Sequence, residues 1–265
     1  MGGMSEISAE HNEVDHWPDE LLVAGDWHGN TIWMEKVLRA AARSGHKTII
    51  HVGDLAVLWP AANDNDKFTK VLKRRLDEHD LTLVFVDGNH DVHPKLRALP
   101  VNEDGFGVIN DRLLYAPRGH RWNWSGVRFG ALGGAYSVDR RSRKLGKSWW
   151  EGEETSEADV CRLGPGRLDV LITHEVPAGI DVVSEFSFGL PKVIEQEAYA
   201  NRLLVRDAVR NTEPRLVFSG HWHQRRSALM PNMGTQVHVL HMDQFEGNVV
   251  ALNLKTLGVR EYPLD

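Results

Sequence analysis

The chain has 265 residues, 42% hydrophobic and 26% charged, which is enough apolar content for a core and includes no apolar run long enough to cross a bilayer. A formal net charge of −6 excludes a general affinity for nucleic-acid backbone, which depends on clustered Lys and Arg, yet allows a small anionic substrate. One cysteine, Cys161, excludes an internal disulfide and a thiolate-rich metal site, and with no secretory signal in the polar, acidic start the expected location is the cytoplasm.

Residues 1–19 read as a flexible tail, with Met4 an alternative start, and 20–265 as one domain carrying a loop-rich insertion at about 133–166. The run 21–24 predicts a buried strand that stops at Gly25-Asp26. A helix is predicted over 31–44: Met34, Val37, Leu38 and Ala41 share one face, Asn30 or Thr31 caps the start, and Gly45 ends it. A second strand, 48–52, stops at Gly53-Asp54; a charged helix follows near 66–79; a third strand, 81–86, runs into Asp87-Gly88-Asn89-His90-Asp91. This alternation predicts a largely parallel sheet, whose ligand sites gather beyond the carboxyl ends of the strands.

The segments 113–115, 121–124 and 127–132, separated by Arg118-Gly119 and Ser125-Gly126, predict short antiparallel strands. The stretch 133–166 carries a basic run (Arg140, Arg141, Arg143, Lys144, Lys147), then Trp149-Trp150, then an acidic helix-like patch. Strand 168–173 ends at His174, a long helix covers 191–209, and strand 216–219 ends at Gly220-His221-Trp222-His223. The segments 236–241, 248–254 and 259–262 read as closing antiparallel strands.

Every strand of the alternating parts thus ends in Asp, Asn or His, poor strand formers whose repeated placement points to one shared site. In an extended segment, residues two apart share a side, so Asp26 and His28 are expected to grip one ion, and His221 and His223 both to face the site. Trp27 and Trp222, between them, are expected in the core. Carboxylate, imidazole and amide donors form a borderline-hard set suited to Mn, Fe, Zn, Co or Ni rather than Ca. Asp26, His28, Asp54, Asn89, His174, His221 and His223 exceed the needs of one ion, and a pair of divalent ions about 3.5–4 Å apart with Asp54 as bridge would use them all.

The ordered segments Gly25-Asp26-Trp27-His28-Gly29-Asn30, Gly53-Asp54, Gly88-Asn89-His90-Asp91, Thr173-His174 and Gly220-His221-Trp222-His223 resemble the motif series of the calcineurin-like metallophosphoesterases. The resemblance implies an α/β (α+β) fold of two packed mixed β-sheets flanked by helices, a four-layer sandwich. It implies Asp26, His28 and His223 on one divalent metal ion, Asn89, His174 and His221 on a second, and Asp54 between them. Manganese is the favoured ion, with Fe, Zn, Co, Ni and Mg as alternatives. The resemblance also implies that His90 stabilises or protonates the leaving oxygen. Two departures set this chain apart from the protein phosphatases of that family. Leu55-Ala56-Val57 follows Gly53-Asp54 where a phosphate-gripping Arg is usual nearby, and Asp91 follows His90 where Glu is usual.

The expected activity is therefore hydrolysis of a small phosphate ester, a nucleotide or cyclic nucleotide diester above all. A phosphomonoesterase or protein phosphatase, a single-strand nuclease and a non-catalytic metal-binding scaffold are the alternatives. Arg140, after the Gly133-Gly134 turn, is the candidate substrate-binding residue of the basic run, and Trp149-Trp150 the anchor of that loop. His51, His93, His120, His238 and His241 have no motif context.

Overall fold

The computed structural model describes residues 19–60, 66–183 and 190–264; the tail expected at 1–19 lies outside them except for Asp19. The first half runs β1 (Glu20–Ala24), α1 (Thr31–Arg43), β2 (Thr48–His51), α2 (Lys67–His79), β3 (Thr82–Phe85), α3 (His93–Arg97), β4 (Gly107–Asn110) and β5 (Leu113–Tyr115). Then come β6 (Arg121–Trp124), β7 (Val127–Leu132), α4 (Glu157–Leu163), β8 (Val170–Thr173), α5 (Lys192–Thr212) and β9 (Leu216–Ser219). The chain closes with β10 (Arg226–Leu229), β11 (Gln236–Val239), β12 (Val249–Asn253) and β13 (Val259–Glu261).

The strands form two sheets, ordered β13-β12-β1-β2-β3-β5-β4 and β10-β11-β9-β8-β7-β6. Strand alternation makes the layers. In β1, Leu21 and Val23 join a core with Ile50, Val84, Phe129, Ile172 and Phe218 between the sheets. Leu22 and Ala24, on the opposite face, pack with Met34, Val37, Leu38, Leu72 and Leu76 of α1 and α2. Behind the second sheet, Leu171, Val217 and Val237 meet Leu163 of α4 and Val205, Ala208 and Val209 of α5. The result is a helix–sheet–sheet–helix sandwich. α1 and α2 begin where local chemistry provides a cap: Asn30 Oδ1 accepts from the main-chain N–H of Ile32 and Trp33, and Asp66 accepts from Thr69 N–H. No helix among the described residues is long and apolar enough to cross a membrane.

The predicted pairings differ in two places. β5 does not continue an antiparallel series with β6 and β7; it lies parallel to β3 in the first sheet, whereas β6 and β7 pair antiparallel in the second. β11 likewise runs parallel to β9. Turn residues report a local reversal but not which sheet the next strand joins, because long-range pairing decides that. Strand β10, not anticipated, is a mostly exposed edge of sequence RSAL with no alternating apolar pattern. α3 is only five residues long and β4 opens on a glycine, so neither gives a periodic signal.

Beneath the loops, Asp87 follows β3 and is almost fully buried. Arg118 answers it with Nε at 2.8 Å from Asp87 Oδ2, while Tyr115 donates its hydroxyl to Asp87 Oδ1 at 2.9 Å. Arg118 also lies 3.3 Å from Asp159 of α4. This paired cluster fastens the first sheet to the segment 153–159, because each buried charge has an opposite charge and hydrogen bonds.

Candidate metal centre

Strands β1, β2 and β3 run parallel in one sheet and β8 and β9 in the other, and the carboxyl ends of all five open onto the same edge of the sandwich. There the structure brings together Asp26, His28, Asp54, Asn89, His174 and His223. Asp26, His28 and His223 present donor atoms within 4.8 Å of one another, as do Asp26, Asp54 and His174. Asp54 Oδ2 stands 3.9 Å from His28 Nε2 and 3.4 Å from His174 Nε2, so it faces both halves. His221 adds its ring beside that of His174, centroids 5.2 Å apart, while its main-chain N–H donates to Asp26 Oδ2 at 3.0 Å.

The expected strand-like projection of residues two apart is corrected. β1 and β9 end before the motifs, and His28, Asp54, His221 and His223 take φ values of 46°, 55°, 67° and 49°, in the left-handed region. A non-glycine residue held there costs about 1–3 kcal/mol, so convergence is achieved by strained turns that the surrounding bonds hold. Asp91 supplies part of that hold. It is fully buried, and its carboxylate accepts from the N–H of Asp54 (3.0 Å), Gly88 (2.8 Å) and Ala56 (2.8 Å), tying two motif loops together. Space demands glycine at several motif positions, Gly88 and Gly220 among them. A Cβ on Gly88 would overlap Asp54, and one on Gly220 would overlap Asp26 Oδ1.

The donor set fits cations. His174 Nδ1 donates to the Val52 carbonyl at 2.8 Å, which leaves Nε2 facing Asn89 Oδ1 at 3.1 Å and Asp54 Oδ2 at 3.4 Å. In the neutral imidazole all three are acceptors, so only a proton or a metal ion satisfies the group. Asn89 keeps its oxygen on that side because its Nδ2 donates to Ser137 Oγ. His28 Nε2 and His223 Nε2 meet at 3.1 Å, another convergence of ring nitrogens. Burial alone would raise the carboxyls of Asp26 and Asp54, but the neighbouring histidines hold both below the ordinary range. Burial likewise opposes the charge on His174, yet Asp54 and Asp26 outweigh it and push this imidazole up to about 10. Two fully buried carboxylates therefore draw positive charge into the site. Burial pushes His221 down to about 3, which keeps a lone pair available for a ligand role.

His90 sits at the rim. Its N–H donates to Asp54 Oδ1 at 2.7 Å and its ring stands edge-on to His28. Burial, with the Arg143 charge added, holds it below the usual imidazole value despite Asp54 nearby. Arg140 is not brought to this histidine: its guanidinium pairs with Glu154 (2.7 Å) and Glu197 (3.0 Å) and lies over the Tyr136 ring. Arg143, three residues on, reaches it instead, with Nη2 2.6 Å from His90 Nε2.

Several contributors escaped the sequence reading. Glu175, fully buried, accepts from Trp222 Nε1 at 2.7 Å and lies 3.7 Å from His221 Nε2, so Trp222 is a strut that orients this loop. Asn248 accepts from the indoles of Trp27 and Trp33, and Asp243 N–H donates to the Asp26 carbonyl at 2.7 Å. Position after His174 was the only signal for Glu175; Asn248 and Asp243 had none. Trp27 is core, as expected. His51 is buried against Trp27, His93 pairs with Asp87, and His120, His238 and His241 stack on Trp122, Phe218 and Phe245. A cavity of about 700 Å³ lies elsewhere, between α5 and the turn joining β10 to β11.

A model of the calcineurin-like phosphoesterases matches residues 20–225. Comparison with curated proteins gave no match. Among solved structures, TT1561 of Thermus thermophilus is 15% identical with a TM-score of 0.58, the match covering 93% of this chain and 99% of that one. A dimetal phosphatase from Danio rerio is 13% identical with a TM-score of 0.54, covering 89% and 92%. At such identities the likeness is one of fold.

Proposed function

Since the chain belongs to the calcineurin-like phosphoesterase family, we propose that it hydrolyses small phosphate esters, nucleotide or cyclic-nucleotide diesters above all, with two divalent cations, manganese favoured. The observation that carries this reading is the meeting of Asp26, Asp54 and His174, from three strands of two sheets, in one buried acceptor cluster. Asp26, His28 and His223 would hold one cation, Asn89, His174 and His221 the other, with Asp54 between them. Bound there, such ions act as Lewis acids that neutralise phosphate oxygens and favour in-line displacement.

The remaining chemistry belongs to side chains. His90, fixed through its main chain to Asp54, is the side chain proposed to meet the leaving oxygen. Held below the usual imidazole range, it is neutral at pH 7 and acts as an N–H donor that steadies developing negative charge. A diester is favoured over a monoester because Leu55 and Val57, both fully buried, turn the segment after Asp54 into core rather than a source of cations. A dianionic monoester asks for more positive charge than that leaves. Cytoplasm is the proposed location, where a lone exposed thiol such as Cys161 stays reduced.

The test uses metal-stripped protein restored with Mn2+ and offered a chromogenic phosphodiester and the matching monoester. Faster turnover of the diester is expected, with loss of activity in Asp54→Ala and His90→Ala. Unchanged activity in both variants would refute the mechanism, and preference for the monoester would overturn the substrate class.

A further inference from the structure

We infer that Arg143 is the cation that grips the substrate phosphate, a role that rests on the phosphoesterase reading above. The loop that bears it is built over the metal-binding edge. At its start, Ser137 Oγ takes the hydrogen bond from Asn89 and donates to Glu153 Oε2 at 2.9 Å; near its end, Trp150 packs edge-on against Trp59, ring centroids 5.3 Å apart. Arg140 braces the middle through Glu154 and Glu197. Its basic neighbours Arg141, Lys144 and Lys147 are exposed.

Arg143 is different. Its side chain is only 8% exposed, although it sits in a loop rich in solvent-facing residues. Nε donates to Asp139 Oδ2 at 2.9 Å, and Nη2 lies 2.7 Å from Asp139 Oδ1 and donates to His90 Nε2 at 2.6 Å, while Nη1 is buried with no hydrogen-bond partner among the described residues. A buried guanidinium nitrogen without an acceptor is unfavourable, and an incoming oxyanion supplies the acceptor. With Nε and Nη2 holding Asp139 and His90, the guanidinium plane is fixed and Nη1 is left to donate to a phosphate oxygen, a pre-set direction that a lysine's rotating ammonium does not offer. Its one carboxylate partner, Asp139, is half-exposed and leaves charge available to an anion. The basic loop thus supplies a single cation, matched to the single charge of a diester and one short of what a dianionic monoester asks.

Orthophosphate is the probe, titrated calorimetrically into Mn2+-loaded wild type, Arg143→Ala, Arg143→Lys and Arg141→Ala. The last removes the same charge from an exposed position of the same loop. Arg143→Ala is expected to weaken orthophosphate tenfold or more, to raise KM for the diester in proportion, and to leave the Mn2+ isotherm unaltered; Arg143→Lys should recover part of the affinity. Equal orthophosphate affinity in Arg143→Ala and Arg141→Ala would overturn the inference. So would weakened Mn2+ binding in Arg143→Ala, since the arginine would then be holding the metal loops rather than the phosphate. Failure of the wild type to bind Mn2+ or cleave any ester would overturn the phosphoesterase reading and this inference together, whereas an active wild type with an unaffected Arg143→Ala overturns the inference alone.

Discussion

Substituting Gly220 by alanine adds one methyl group to the turn between β9 and His221, and that methyl has nowhere to go. Gly220 has no left-handed φ to defend, so the effect is steric. The added carbon would overlap Asp26 Oδ1 and come within 3.0 Å of Val52 Cγ2. Asp26 cannot simply rotate away: its carboxylate is held by the His221 N–H at 3.0 Å and faces His223 Nε2 at 3.3 Å. Relief requires the loop or the carboxylate to move by on the order of 1 Å, a misplacement that costs roughly a hundredfold in turnover when it falls on a catalytic group. Overpacking of this kind costs about 1–3 kcal/mol, which lowers the melting temperature of a domain this size by roughly 3–10 °C. Gly220→Ala is therefore expected to stay folded by circular dichroism, to bind Mn2+ at least tenfold more weakly by calorimetry, and to lose about two orders of magnitude in kcat. Gly234→Ala, where an added methyl meets nothing within 4 Å, is the control. Wild-type Mn2+ affinity and kcat in Gly220→Ala would show that Asp26 does not have to stand where the structure puts it.

Three further expectations follow from buried charge. Arg118→Met leaves Asp87 buried beside no guanidinium and should cost about 3–5 kcal/mol in a urea melt; a loss under 1 kcal/mol would contradict the pairing. Burial pushes the Glu153 carboxyl up to about 7, above its unfolded value near 4.5, so the folded chain holds a proton that the unfolded chain releases. Stability from this group is thus lost as pH rises from about 4.5 through 7, and Glu153→Gln should be free of that loss; melting temperatures of the two proteins from pH 4.5 to 8 should diverge by the equivalent of about 3 kcal/mol. Finally, Mn2+ at a hundred times its dissociation constant should stabilise the fold by about 2.7 kcal/mol per site, a rise of roughly 5–10 °C that EDTA reverses. Identical melting curves with and without the ion would count against a metal site.

How far the sequence carries depends on the range of the interaction. Asp26, Asp54, Asn89, His174, His221 and His223 were legible because each follows a short apolar run and a local break, and the helix cap Asn30 was legible because a cap bonds to residues two or three positions away. Arg140 was preferred within the basic run that it shares with Arg143 because it comes first after the Gly133-Gly134 turn. Nothing local separates them. Only the placement of Glu154 and Glu197 ties Arg140 down, and only the folding of the loop over β3 brings Arg143 to His90.

Donor chemistry, the strand-and-helix order of the alternating parts and the glycines beside the motifs were thus determined by the sequence alone, since these depend on residue type and near neighbours. The tertiary structure decided the rest: which sheet received β5 and β11, the left-handed turns at His28, Asp54, His221 and His223, and the support from Asp91, Glu175 and Asn248. Those depend on contacts between residues up to 222 positions apart, such as Asn248 with Asp26. Such pairs are chosen by packing and by the need to satisfy buried polar groups, neither of which a local stretch of chain encodes.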